Sequence, residues 1–386
     1  MIVPPIPISA FSLMADGGQT YNGRMIRGAG FVGAVVLLLV PLCCAHSLGQ
    51  SVPASVEKSA NPDAGQDAAL GQARRLVEQG KLAEAEGVVQ KYLTAHADSA
   101  DGHYLLGSIY FQQVHEEVRG KSSLSRVADN SADFNAGLAD PKFADPKFKE
   151  AKEAKAKASL AEYTEGAKYR VPGAFELKVV ALDYILLGDY PDADKWLTRA
   201  LQTAPADAEL WYDLGRTKYN ENRFEEAIDA FQRCLKLDAA NLRAEYNLGL
   251  AYQGLGHMEE AAAAFRNAIA RQEHKLNQDA EPFIDLGSLL LDQNRAHDAL
   301  PYLGQAVEIS PRAFRAHEQL GRAYARLDQM EKAQAEFEKA VELAPLNPRL
   351  HYVLGQVYRK EGLAEKAKVE FDRSSELRRD SPSEGR

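Results

Sequence analysis

The residues of this 386-residue chain that could do chemistry are nine histidines, three cysteines and 55 carboxylates. His103, His317 and His351 hold one shared position of a recurring pattern, the last two 34 residues apart. Imidazole ligates metals through either ring nitrogen, so His317 and His351 on adjacent helices could form a metal pair. The competing role is packing, in the place that Trp211 takes in its own stretch. Glu225-Glu226 and Glu259-Glu260 could serve acid–base catalysis, but both pairs open helical patterns, where negative charge is favoured by the helix dipole. Cys43 and Cys44 lie in an apolar segment near the N-terminus, and Cys234 is left with no partner. That count excludes CxxC redox chemistry and cysteine-based zinc fingers. The chain contains no HExxH, phosphate-binding GxxxxGK or GxSxG motif. The expectation is a non-enzymatic protein that takes neither cofactor nor metal, with Cys234 as a buried packing residue.

Elements that could position such residues follow from composition and spacing. Hydrophobic residues make up 45% and charged residues 26%, which fits a folded chain and excludes global disorder. The net charge of -9 argues against nucleic acid as a partner. Leu214-Gly215 recurs as Leu248-Gly249, Leu286-Gly287, Leu320-Gly321 and Leu354-Gly355, at intervals of 34, 38, 34 and 34 residues. Ala227 recurs as Ala261, Ala299, Ala333 and Ala367, and Phe231 as Phe265, Leu303, Phe337 and Phe371. Within a unit, Leu320, Tyr324 and Leu327 share one helical face, and Ala333, Phe337, Ala340 and Val341 share a second. Pro205, Pro311 and Pro345 end units because proline cannot continue the hydrogen-bond ladder. Gly321 and Ala333 should let paired helices approach closely. One hairpin cannot cover its own apolar faces, so neighbours must stack.

This pattern resembles the tetratricopeptide repeat, a 34-residue unit of the form W-x2-L-G-x2-Y…A-x3-F…P. Trp211-Leu214-Gly215 with Ala227-Phe231 matches it best. It departs at Lys218, where the tyrosine falls one place later at Tyr219, and Glu245 stands where the next unit would carry tryptophan. The resemblance implies an all-α fold: a right-handed superhelical solenoid of about eight helix-turn-helix repeats. The units read as 66–99, 100–173, 174–207, 208–241, 242–279, 280–313, 314–347 and 348–379. An insertion at 114–154 splits the second, with its second helix expected near 155–170. A smaller one around Glu273–Asn277 is expected to lengthen a helix.

In such proteins the first helix of each unit lines a concave face that binds peptides. Its expected lining here is Tyr212, Arg216, Tyr219, Arg243, Tyr246, Arg315, Arg322, Arg326, Arg349, Tyr352, Gln356 and Arg359. Asn247 alone resembles the family's carboxylate clamp, so a chaperone-type clamp is not expected. Arginine matches carboxylates with two parallel hydrogen bonds, and tyrosine supplies rigid contact area. An acidic or carboxylate-terminated segment of another protein is the expected partner, against the alternative of arginines paired to neighbouring glutamates.

Residues 29–45, AGFVGAVVLLLVPLCCA, carry no charge and follow Arg24 and Arg27. Small residues come after them, as in a secretory signal peptide. Residues 1–50 therefore read as a signal peptide, or else as an N-terminal anchor through 29–45, the only membrane contact expected. Met25 would be a more usual start. Residues 51–65 read as a flexible linker and 380–386 as a polar tail after the solenoid, 66–379. The functional expectation is an exported (periplasmic or secreted) scaffold or adaptor, with assembly of an envelope complex as its expected setting; the alternatives are an accessory subunit docking a catalytic or secretion machine, and a self-associating structural repeat.

Overall fold

The computed structural model describes residues 63–121, 146–273, 275 and 277–380. Residues 1–50, nearly all of the linker, the centre of the insertion and residues 381–386 lie outside them. The described residues form sixteen α-helices and no strand. Consecutive helices pair as hairpins: α1 (Asp63–Glu78) with α2 (Leu82–Ala95), α3 (Ala100–Lys121) with α4 (Pro146–Gly166), α5 (Ala174–Leu186) with α6 (Tyr190–Thr203), and α7 (Ala208–Asn220) with α8 (Phe224–Leu237). Then come α9 (Leu242–Gly254) with α10 (Met258–Gln272), α11 (Glu281–Asp292) with α12 (Ala296–Ile309), α13 (Phe314–Arg326) with α14 (Met330–Leu343), and α15 (Pro348–Lys360) with α16 (Ala364–Asp380). Each hairpin packs on the next, which makes a superhelical solenoid.

Local chemistry fixes the ends. The Asp207 side chain accepts from the backbone N–H groups of Glu209 and Leu210, Asn241 from that of Ala244 and Asn347 from that of Arg349. These caps satisfy donors with no partner inside the helix. Between paired helices the chain turns through a left-handed residue: Gly188, Asn222, Gly256, Asn294, Asp328 and Gly362 hold φ between 57° and 78°. Those are the residue types that tolerate this conformation.

The hairpins close on the repeated Gly and Phe. A Cβ on Gly215 would stand 2.5 Å from the Phe231 ring, and one on Gly249 2.6 Å from that of Phe265. Ala227, Ala261, Ala299 and Ala333 have no solvent exposure. Cys234 is equally buried, and burial pushes its thiol up to about 12.

Three boundaries differ from the expected ones. Helix α1 begins at Asp63, inside the segment read as linker. The 114–154 insertion is helical at both ends, because α3 continues to Lys121 and α4 opens at Pro146. Proline suits a first helical position, where its missing N–H is not needed, and the Ala/Lys/Glu run after it favours helix. In the second insertion, the described residues Glu273, Lys275 and Asn277 do not extend the helix before them. Helix α10 stops at Gln272, whose buried amide donates to the carbonyl of Asp279 at 2.9 Å and accepts from its N–H at 2.7 Å. That side chain ties the loop shut. No helix among the described residues is long and apolar enough to cross a membrane.

Candidate protein-binding face

Successive first helices touch one another (α1 on α3, α3 on α5, α7 on α9, α11 on α13), so they form the inner layer of the curve. The arginines of that layer are mostly engaged with it. Arg243 donates to Glu209 at 2.7 Å, from one unit to the one before. Arg315 donates to Asp285 at 2.8 Å and also to Glu281. Arg349 stands 3.2 Å from Glu318. Arg322 donates to Gln319 at 2.7 Å and reaches Asp292 at 3.4 Å. Arg326 donates to the Leu291 carbonyl and, at 3.0 Å, to Asn294. These five side chains tie neighbouring units together.

Three expected lining residues lie inside the layer. Tyr212 is fully buried, packed on Phe231 and beneath the Arg243 guanidinium, 4.6 Å from its ring. Tyr246 and Asn247 are each 8% exposed. The Tyr246 hydroxyl donates to Asp285 at 2.6 Å, and Asn247 donates to the Arg243 carbonyl at 2.8 Å. Burial, reinforced by the carboxylates of Asp285 and Glu281, holds the Tyr246 phenol well above its ordinary range. Burial also pushes Glu281 up to about 7, against the pull of Arg315.

What remains accessible falls in two groups. In the fourth unit, half-buried Arg216 lies 5.8 Å from the Tyr212 ring and forms no ion pair with a described residue. Tyr219, also half-buried, meets Phe224 edge-on at 5.4 Å. In the eighth unit, Tyr352 is 44% exposed, with Phe371 and the Arg378 guanidinium each 5.6 Å from its ring. Arg359 is exposed and lies 5.7 Å from the Phe371 ring. Half-buried Gln356 completes this group. Arginine stacked on an aromatic ring is held in place with its fork of donors still outward, a geometry suited to carboxylates.

The histidines face acceptors of the protein itself. His317 has Nδ1 2.7 Å from Glu336 and Nε2 3.0 Å from the Pro311 carbonyl. His351 has Glu370 at 2.6 Å and the Pro345 carbonyl at 2.9 Å. No group of three or more metal-binding side chains occurs among the described residues. Glu226, one of the helix-opening acids, pairs with Arg223 at 2.6 Å and Lys218 at 3.1 Å. The inner-layer ion pairs realise the alternative of arginines paired to neighbouring carboxylates; the particular partners are what sequence reasoning did not name. Their signal was present: the second position of consecutive units reads Glu209, Arg243, Glu281, Arg315, an alternation of sign.

The family follows from this fold. Tetratricopeptide-repeat profiles match residues 70–115 and 319–382, 184–233 and 290–342, and 242–275, and a TPR-repeat profile matches 215–256. The chain belongs to the tetratricopeptide-repeat family. It is 36% identical over 107 residues to the human PEX5-related protein, covering 28% of this chain and 17% of that one. It is 37% identical over 95 residues to the peroxisomal targeting signal receptor of Saccharomyces cerevisiae, covering 25% of this chain and 15% of the receptor. The chain thus matches less than a fifth of either relative's length. Among solved structures, YrrB, a TPR protein with an unusual peptide-binding site, aligns at 25% identity and a TM-score of 0.41, over 48% of this chain and 93% of its own. MamA of Desulfovibrio magneticus RS-1 aligns at 25% and 0.42, over 46% and 97%. The repeats make this chain a protein-interaction scaffold.

Proposed function

We propose that the chain is an exported scaffold whose inner face holds a segment of another protein, chosen for its acidic or carboxylate-bearing side chains. One observation carries this reading. Arg216 and Arg359 are fixed over aromatic rings, yet neither forms an ion pair with a described residue. The five other arginines of the layer are occupied by the fold, so recognition falls to the fourth and eighth units. Tyr219, Tyr352 and Gln356 supply contact area and hydrogen bonds beside them. A relative named as a receptor for a targeting signal supports recognition of a sequence segment. Arg24 and Arg27 before the uncharged stretch 29–45 support export. The same stretch used as an anchor would keep the solenoid at a membrane surface, and either placement fits assembly of an envelope complex.

The test is capture from the host's envelope extract by the full chain and by an Arg216→Glu/Arg359→Glu variant. Captured proteins are then reduced to overlapping peptides and titrated against both. The expected result is an acidic segment bound by the first and lost by the second, with both unfolding at the same temperature. Equal binding by the two moves the site away from these arginines. Sequencing the N-terminus of the protein recovered from cell fractions tests export separately. An intact terminus in the cytosol would overturn it.

A further inference from the structure

Asp183 has no solvent exposure, and neither oxygen of its carboxyl accepts a hydrogen bond in the structure. It lies in the second half of α5, a helix that packs on α3, α4 and α6. The phenol oxygen of Tyr163, on α4, is buried beside the same junction and also has no hydrogen-bond partner. Two hydroxyls complete the polar set. Ser159 donates to the Gly107 carbonyl at 2.9 Å, and Ser108 accepts from Gln112 at 3.2 Å. The ion pairs of the surrounding helices form elsewhere, and Lys152 of α4, buried and in no ion pair with a described residue, stands seven residues before Ser159. His103 of α3 faces Glu162 of α4, Arg170 reaches Asp101 and Glu176, Lys178 reaches Asp213, and Asp194 of α6 holds Lys218 and Arg223. Towards the core, α6 offers Ala193, Trp196 and Leu197.

Asp213 shows what this position lacks. It too is buried, with its carboxyl raised by burial, but the Lys178 ammonium 3.3 Å away draws it back. Asp183 has no such cation among the described residues. A buried carboxylate with no counter-charge, and with only the Ser159 hydroxyl, itself bonded to the Gly107 carbonyl, to oppose burial, is a costly form for the group. The neutral carboxyl avoids that cost and gains a hydrogen to donate towards Tyr163 or Ser159.

We infer that Asp183 is a protonated carboxyl that joins the insertion-bearing hairpin α3/α4 to the rest of the solenoid, a joint that loosens as pH rises. Burial raises the folded-state value well above the ordinary 3.8. The folded chain therefore holds this proton more tightly than the unfolded one. Its stabilising effect is complete below about pH 4 and is lost as pH rises towards the folded value. One proton sets the limit at about tenfold in the closed-to-open ratio per pH unit. Stability in a solenoid is largely a sum over neighbours, so the loss falls on α3, α4 and α5.

Amide hydrogen exchange on the full chain between pH 5 and 8 tests this, with protection in α13 and α14 as the internal reference. Protection in α4 and α5 should fall relative to that reference, by up to about tenfold per pH unit. Asp183→Asn, neutral and nearly the same shape, should remove the slope and exceed the native chain in protection at pH 8. Tyr163→Phe keeps the carboxyl and should keep the slope. Protection that follows α13 and α14 at every pH overturns the inference. So does an Asp183→Asn variant weakened equally throughout, or a slope lost in Tyr163→Phe alone.

Discussion

The indole N–H of Trp211 donates to the carbonyl of Pro205, six residues earlier, at 2.8 Å. Pro205 follows the end of the preceding helix, where carbonyls have no partner inside the helix. The same bond recurs with other chemistry. His103, His317 and His351 each place Nε2 2.9–3.0 Å from the carbonyl six residues back. Where Glu245 replaces the ring, Arg271 does the work: it holds Glu245 at 2.9 Å and donates to the Ala239 carbonyl. Trp and His thus supply this N–H from the position itself and Arg271 supplies it from the paired helix, whereas Phe283 and Leu177 hold the same position in their units without one.

His317→Phe should therefore cost more than Trp211→Phe. The tryptophan change strands one carbonyl and should cost about 1 kcal/mol. The histidine change strands the Pro311 carbonyl and leaves half-buried Glu336 without its partner, so about 1–3 kcal/mol is expected. Urea unfolding of both variants measures the difference. Equal losses would show that ring packing dominates and the hydrogen bonds contribute little.

Two glycines on the paired helices α11 and α12, Gly287 facing Leu303 and Gly304 following Leu303 in sequence, separate packing from propensity. A Cβ on Gly287 would fall 2.4 Å from Leu303, whereas one on Gly304 would meet nothing within 4 Å. Gly287→Ala should overpack α11 against α12 and cost about 1–3 kcal/mol. Gly304→Ala, inside α12, should gain about 0.5–1 kcal/mol from helix propensity alone. Thermal unfolding should move in opposite directions for the two. A shared direction would mean that α11 and α12 approach less closely than described.

The solenoid was legible because its constraints repeat. Gly215, Gly249, Gly287, Gly321 and Gly355 each face a large side chain of the paired helix, and that need fixes residue type at a constant interval. The inner face was less legible because its ion pairs span units: Arg243 and Glu209 stand 34 residues apart, as do Arg315 and Glu281. A list of arginines at the right positions identifies the layer but not which of them the fold already uses. Tyr212 and Tyr246 were misplaced for a related reason. Their positions face inward only where the neighbouring unit leaves room, and Arg243 and Asp285 fill it here.

The Glu281–Arg315 contact predicts a pH response in the centre of this layer. Burial raises the Glu281 carboxyl from 4.5 to about 7, and Arg315 offsets only part of that shift. The folded chain therefore binds this proton more tightly than the unfolded chain. The stabilisation is complete below about pH 4.5 and is lost as pH rises through about 7. Glu281→Gln carries no titrating group, and Arg315 keeps Asp285 at 2.8 Å. The native chain should lose stability relative to this variant between those two pH values and stay level above them. The Glu281 side chain is 34% exposed and that of Arg315 45%, so screening limits the difference to roughly 1 kcal/mol or less. Urea unfolding of both proteins from pH 4.5 to 8 provides the comparison. A native chain that gains on the variant as pH rises would mean that the Arg315 pair outweighs burial at this site.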